Sequence, residues 1–220
     1  MAVQLRRLIA IALLVMACTP ATSPNPAPSI PELGITGGVV PAGRYALRGF
    51  DPRITVDLDG SWESLAQRNG YTSLVQVSRP TGSNPYLAGT LVLITLVDSV
   101  TAGTDSSIKP TTANEAVDSI KQSLGSWVIE THDSQIGGLD GKQLTVERPG
   151  SGPPMSRDVV GVIGAPAGAI VLTPGRRLWI AFFTTQQGVV AIVVGGSIEG
   201  WDATLAAAEP VLEEIRFSVP

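Results

Sequence analysis

Apolar and polar residues alternate along much of this chain, and in two stretches they fall instead into helical stripes. Tyr45, Leu47 and Gly49 alternate with Ala46, Arg48 and Phe50, and Ile54, Val56 and Leu58 alternate with Thr55, Asp57 and Asp59. A period of two puts alternate side chains on opposite faces, so both stretches predict short strands, the second half-buried, with Asp59-Gly60 turning after it. Residues 74–79 predict another strand. Residues 91–97 are apolar at both parities, which predicts a strand covered on both faces. The same holds for 178–184 and 189–194, where Leu178, Ile180 and Phe182 share one face and Trp179, Ala181 and Phe183 the other. Joined through 185–188, these two predict a hairpin at the centre of a sheet. Residues 127–136 and 142–147 predict a second hairpin around Gly137-Gly138-Leu139-Asp140-Gly141. Residues 159–163, 169–172 and 216–219 predict shorter strands, while 101–110 and 149–155 are rich in loop formers.

The helical stripes are two. Thr112 stands as an N-cap with Glu115 three residues on, Ala113, Val117, Ile120 and Leu124 form one apolar face, and Gly125 follows as a stop. Residues 200–214 predict the second helix, with Trp201, Leu205, Ala208, Leu212 and Ile215 on one face and Pro210 expected to kink or split it. Strands joined as hairpins dominate and regular β-α-β alternation is missing. The expected fold class is therefore α+β, an antiparallel β-sheet with flanking α-helices packed as a helical layer.

The first eighteen residues follow a different pattern. Arg6 and Arg7 precede an unbroken apolar run over 8–17, which ends at Cys18. That is the layout of a secretory signal, too short for a transmembrane helix. Its end, Val15-Met16-Ala17-Cys18, resembles the lipobox of bacterial lipoproteins. The resemblance implies cleavage after Ala17, a diacylglyceryl group on the Cys18 sulfur, and acylation of the new amino terminus. Residues 1–17 are then a leader. Pro20, Pro24, Pro26, Pro28, Pro31 and Pro41 stand among Ser, Thr, Ala and Gly, so 18–42 predict a semi-extended tether. Pro28-Ser29-Ile30-Pro31 has PxxP spacing but no basic flank. The single folded domain is expected over 43–220.

Apolar residues make up 44% of the chain, enough for a core, and Cys18 is the only cysteine, so no disulfide forms within it. Loss of the leader leaves 13 basic residues against 19 acidic ones. A mildly acidic chain with no basic block argues against nucleic acid and against electrostatic docking on an anionic bilayer. Membrane attachment would be covalent and apolar, through the lipid on Cys18.

Tyr45-Ala46-Leu47-Arg48-Gly49-Phe50, followed by Ile54-Thr55-Val56-Asp57-Leu58-Asp59-Gly60-Ser61-Trp62, resembles the opening strands and P-x-G-W turn of PsbP-like domains, and more closely those of LpqN-type lipoproteins. The capped helix, Trp127, the Ile136–Gly141 connection and the closing Ile215-Arg216-Phe217 are similar as well. Asp59 and Ser61 stand where the family turn has its proline and glycine. The resemblance implies an antiparallel sheet packed on helices and a non-catalytic accessory or binding role.

Candidate chemistry is sparse. Asp57-Leu58-Asp59-Gly60 looks superficially like the start of a calcium loop, but the bidentate Glu of such a loop falls where Arg68 stands. His132 is the only histidine, so a zinc site would need two or three carboxylates beside it. As a general base, His132 has Glu130 on its own strand face and Asp133 on the opposite one, with no G-x-S-x-G elbow to supply a nucleophile. Gly137-Gly138 and Gly141 lack dinucleotide spacing and precede a strand. Trp62, Trp127, Trp179 and Trp201 are expected mainly as core and cover residues. The function expected is that of an exported, lipid-anchored protein on the extracytoplasmic face of the cell envelope. It would need no cofactor, metal or catalytic residue, and its groove between sheet and helices would take an envelope protein or a small apolar ligand. The alternatives are a surface hydrolase with His132 as base and a structural envelope protein.

Overall fold

The computed structural model describes residues 29–34, 39–76, 90–102, 106–151, 157–162 and 169–218. Cys18, the expected leader and the first part of the expected tether lie outside these residues, as do the predicted strand ends at 77–79, 163 and 219. The strands are β1 (Gly43–Ala46), β2 (Ile54–Leu58), β3 (Trp62–Arg68), β4 (Tyr71–Gln76), β5 (Leu91–Thr101), β6 (Ser107–Ile108), β7 (Val128–Ile136), β8 (Leu139–Arg148), β9 (Arg157–Val162), β10 (Ala169–Leu172), β11 (Arg176–Thr185), β12 (Gly188–Ser197) and β13 (Arg216–Phe217). The helices are α1 (Ala113–Leu124), running into a 3-10 turn at Gly125–Trp127, and α2 (Trp201–Glu213). The fold is α+β, with every strand paired antiparallel to its neighbours.

The main sheet runs β3-β4-β5-β12-β11-β8-β7, and the expected hairpin β11–β12 sits inside it. β5 does two jobs. Leu91–Leu96 pair with β12 on one side, and Leu91–Thr95 pair with β4 on the other. Past a register shift between Val97 and Ser99 the strand pairs with β9 and with the two-residue β6. β6 lies in a stretch expected as loop. β9 and β10 thereby fold over one face of the main sheet. On the other face lies a small sheet, β1-β2-β13.

Two apolar cores result, one on each face. Leu178, Ile180 and Phe182 of β11 pack with Leu144, Val146, Val160, Leu172 and the α1 stripe of Ala113, Ala116, Val117, Ile120 and Leu124. Trp179, Ala181 and Phe183 pack with Ile54, Val56, Trp62, Phe217 and the α2 residues Trp201, Ala208 and Val211. The helices therefore lie on opposite faces of the hairpin and do not form the single layer expected. Each apolar stripe has its own core to cover. Among the described residues, the space expected as a groove between hairpin and helices is filled by these side chains.

α1 begins as predicted: the Thr112 hydroxyl accepts from the Glu115 N–H at 3.1 Å. The reciprocal arm is displaced by one residue, since the Glu115 carboxylate accepts from the N–H and hydroxyl of Thr111. α2 runs unbroken through Pro210, so of the expected kink or split the split does not occur. Pro210 stands near the helix end, and both it and Ala206, whose carbonyl loses its partner, are exposed, so that carbonyl is open to solvent and the cost of the lost bond is small. The β7–β8 connection is shorter than expected. Gly137 (φ 59°) and Gly138 (φ 88°) alone make the turn, the left-handed pair that a two-residue hairpin needs. Gly141 already lies in β8, where a β-carbon would stand 2.3 Å from the Phe182 carbonyl oxygen.

The described part of the expected tether belongs to the fold. The Pro31 carbonyl accepts from the Ala46 N–H at 2.8 Å, the Leu33 N–H donates to the Ala46 carbonyl at 2.9 Å, and the Val40 N–H donates to the Trp62 carbonyl at 2.7 Å. Leu33 and Val40 are each 1% exposed, inside the α2-side core. Proline gives up its donor and keeps its acceptor, which is what lets this stretch pair at single points. Leu33→Ala should cost about 2–5 kcal/mol in denaturant unfolding, as for a core leucine; a tether residue would change stability by less than about 0.5 kcal/mol.

Candidate functional site

The polar chemistry of the chain gathers where the β7–β8 hairpin extends beyond the core. β7 edges the main sheet and carries Glu130, Thr131, His132 and Asp133 in alternation. A register shift between Val128 and Glu130 sets Glu130 opposite Thr145, His132 opposite Gln143 and Asp133 opposite Lys142. Thr145 is also opposite Trp179 of β11, so Glu130 and His132 belong to the face that α2 covers. Thr131 and Asp133 turn toward α1.

On the α2 face, Glu130 and His132 meet as their spacing predicts, Oε2 to Nε2 at 3.4 Å, with both side chains half exposed. The other oxygen, Oε1, accepts from the buried Thr145 hydroxyl at 2.7 Å. That bond holds the Glu130 carboxyl below the usual carboxylate range, and the neighbouring imidazole adds to it against some desolvation. One strand further in, Arg177 Nε donates to Glu147 Oε2 at 2.8 Å, with Nη2 on the same oxygen, and its guanidinium lies 5.3 Å from the Trp201 ring centroid. Trp179 completes this face and is nearly buried.

On the α1 face, Lys142 donates to Asp133 as an ion pair. The pair stands in an open polar groove with Asn114, Asp118 and Lys121 of α1. Toward the hairpin turn the groove continues past Thr112, Gln135, Asp140 and Thr184. Thr184 also receives the Ala113 N–H at 2.9 Å, which ties the helix start to β11.

Chemically, the Thr145–Glu130–His132 row fixes a carboxylate beside an imidazole but presents no activated nucleophile. The one hydroxyl in the row is spent on Glu130. The sequence candidates for calcium are each engaged elsewhere. Asp57 takes Arg44 Nε at 2.8 Å and Nη2 at 2.6 Å, and Asp59 Oδ1 accepts from both the N–H and the hydroxyl of Ser61. Both carboxyls are held below their usual range, by Arg44 and by Ser61 respectively. Among the described residues no group of three or more His, Cys, Asp or Glu is placed to hold a metal ion. Trp62 is fully buried, and Trp127 lies beneath the guanidinium of Arg148, 4.9 Å from it. The arginines Arg148, Arg176 and Arg177 carry no sequence motif; the alternation of strand residues was the one signal that placed them on opposite faces.

No protein-family model matches the chain, and no curated protein matches it in sequence. Among solved structures it is similar to cyanobacterial PsbP (CyanoP) from Synechocystis sp. PCC 6803, at 12% identity and a TM-score of 0.42 over 84% of this chain and 99% of that one. It is similar to LpqN of Mycobacterium tuberculosis, described as involved in cell envelope biogenesis, at 10% identity and a TM-score of 0.38 over 82% and 87% of the two chains. A Bacteroides thetaiotaomicron VPI-5482 protein is similar at 8% identity and a TM-score of 0.40, over 81% of this chain and 49% of that one.

The depressed Glu130 carboxyl has a testable consequence. A group whose folded pKa is lowered contributes stability above its unfolded value, near 4.3, and loses it as pH falls through the folded one. Thr145→Val keeps the shape and removes the donor. Unfolding measured across pH should show a loss at pH 7 of about 1 kcal/mol or less, small because Glu130 is half exposed, and the gap from wild type should close below about pH 4.

Proposed function

We propose that this is a lipid-anchored protein of the cell envelope, held on the extracytoplasmic side of a membrane through Cys18, whose folded domain is a non-catalytic accessory module that binds a protein partner. The observation that carries the reading is the placement of Cys18. It closes an apolar run behind Arg6 and Arg7 in a lipobox-like Val15-Met16-Ala17-Cys18, ahead of a chain that joins the fold at Pro31. Two acyl chains hold a protein at a bilayer where one is marginal.

Of the two occupants expected, a protein partner fits better than a small apolar ligand. The two sheet–helix interfaces are packed, and the open groove beside α1 is lined by Asn114, Asp118, Lys121, Asp133 and Lys142. Such a surface suits polar contacts that position a partner more than a cavity that swallows a lipid. The hydrolase alternative has one observation in its favour, the Glu130–His132 contact, and lacks a nucleophile beside it.

Metabolic labelling with a palmitate analogue tests the anchor. Wild-type protein should carry the label and fractionate with membranes, and Cys18→Ala should lose both. Unlabelled wild-type protein, free in the medium without Cys18, would overturn the reading. His132→Ala should leave the profile of an ester and glycoside substrate screen unchanged; activity that disappears with the imidazole would restore the hydrolase.

A further inference from the structure

Asn69-Gly70 makes the turn between β3 and β4, closed by the Arg68–Tyr71 pair. The dipeptide is a favoured turn sequence. It is also a reactive one, because glycine brings no side chain to shield its own nitrogen from the preceding amide. The reaction needs nothing but water. The Gly70 nitrogen gives up its proton and bonds to Asn69 Cγ, while the Cγ–Nδ2 bond breaks and Nδ2 takes up a proton and leaves as ammonia. Water then opens the resulting succinimide to an aspartyl or an isoaspartyl residue.

In the folded chain Asn69 is exposed and the atom that would attack it is held. Gly70 is buried, and its N–H donates to the Arg48 carbonyl at 3.0 Å. Its carbonyl accepts from the Leu96 N–H at 2.7 Å and from the Thr95 hydroxyl at 3.3 Å. The loop that supplies Arg48 lies directly against the turn: a β-carbon on Gly49 would stand 2.6 Å from Asn69 Cα and 2.7 Å from the Gly70 nitrogen. That loop has a tie of its own. Gln187, exposed in the β11–β12 turn, accepts from the Asp51 N–H with Oε1 at 2.8 Å and donates from Nε2 to the Gly49 carbonyl at 3.2 Å. One side-chain amide thus clamps loop 48–51, and the loop in turn engages the Gly70 nitrogen.

A nitrogen whose N–H is hydrogen-bonded and shielded from solvent base has to leave that bond before it can attack. We propose that Asn69 is a site of spontaneous deamidation, converted to aspartyl and isoaspartyl residues when loop 48–51 lifts from the β3–β4 turn. The rate is then the rate of the open turn multiplied by the fraction open, and local openings of this kind span free energies from near zero to that of global unfolding. The isoaspartyl product adds a backbone methylene to a turn that the Arg68–Tyr71 pair fits to two residues, so the change is not undone when the loop returns. The site stands whether or not Cys18 is acylated.

The test incubates the purified full chain in non-ionic detergent at mildly alkaline pH and follows isoaspartate at position 69 by peptide mapping and mass spectrometry. The same chain unfolded in urea supplies the rate of the open turn. Folded wild type should react at least about tenfold more slowly. Gln187→Ala, a change on an exposed turn, removes the clamp and should speed the folded reaction about three- to tenfold, the effect of one or two exposed hydrogen bonds. Thr145→Val weakens the fold at the far hairpin and should leave the rate at Asn69 unchanged, which separates opening of this loop from global unfolding. Equal rates in the folded and unfolded chain, an unchanged rate in Gln187→Ala, an equal acceleration in Thr145→Val, or no isoaspartate at position 69 even in urea would each overturn the proposal.

Discussion

The structure turns on one hairpin that has no solvent face. β11 and β12 are buried along nearly their whole length, and each parity of side chains belongs to a different core. In a half-buried strand, the polar face forbids a one-residue slip, because every apolar side chain would turn to water. Here a slip would exchange one apolar set for another, so hydrophobicity alone selects nothing. Shape has to do it. Phe182 and Phe183 are fully buried on opposite faces, and β8 passes them at Gly141, whose missing side chain leaves room for the Phe182 carbonyl and the Phe183 ring. In any other register a side chain would fall on that contact. The hairpin is thus aligned against β8 by a close approach, and α1, α2 and both covering sheets pack on its two faces.

That constraint also decides where chemistry can reside. Polar groups are expelled from the hairpin's centre to the strand ends and to the β7 edge. The alternation that divides the cores divides the charges as well. Arg176 and Arg177, adjacent in sequence, emerge on opposite faces. Arg177 meets a carboxylate and an indole, and Arg176 stands opposite Arg148 in the register. On β7 the same alternation separates the Glu130–His132 pair from the Asp133–Lys142 pair. The edge strand consequently carries two carboxylates, Glu130 and Asp133, one on each face, which discourages it from adding another strand.

Much of this could be read from residue order. The strands at Ile54–Leu58 and across Leu178–Val194, and the cap at Thr112, follow from periods and capping chemistry that act locally. The Glu130–His132 contact was legible too, being two residues apart on one strand. The rest depended on contacts between distant positions. That α1 and α2 cover opposite faces cannot be seen in either helix, because each stripe asks only for an apolar surface and the hairpin offers two. The hydroxyl of Thr145 reaches Glu130 through a bulge that no pattern announces. Composition misled at Pro31, where it counted the missing donor and overlooked the acceptor that Ala46 uses.

The small sheet shows how the cores bear on the chain's attachment. The N-terminal segment joins it beside β1, the C-terminal strand β13 closes it beside β2, and the Phe217 N–H donates to the Gly137 carbonyl at the β7–β8 turn. Both ends of the described chain and the polar hairpin thus converge on one layer. A pull on the segment before Ser29 would be met first by the Arg53 side chain on the Ile30 carbonyl, then by the paired backbone of Pro31, Leu33 and Ala46, and by the buried Leu33 and Val40. None of these belongs to the central hairpin. Load on the N-terminus is therefore borne first by a covering layer, which passes it to the hairpin through the core that Ile54, Val56 and Phe217 share with Trp179, Ala181 and Phe183.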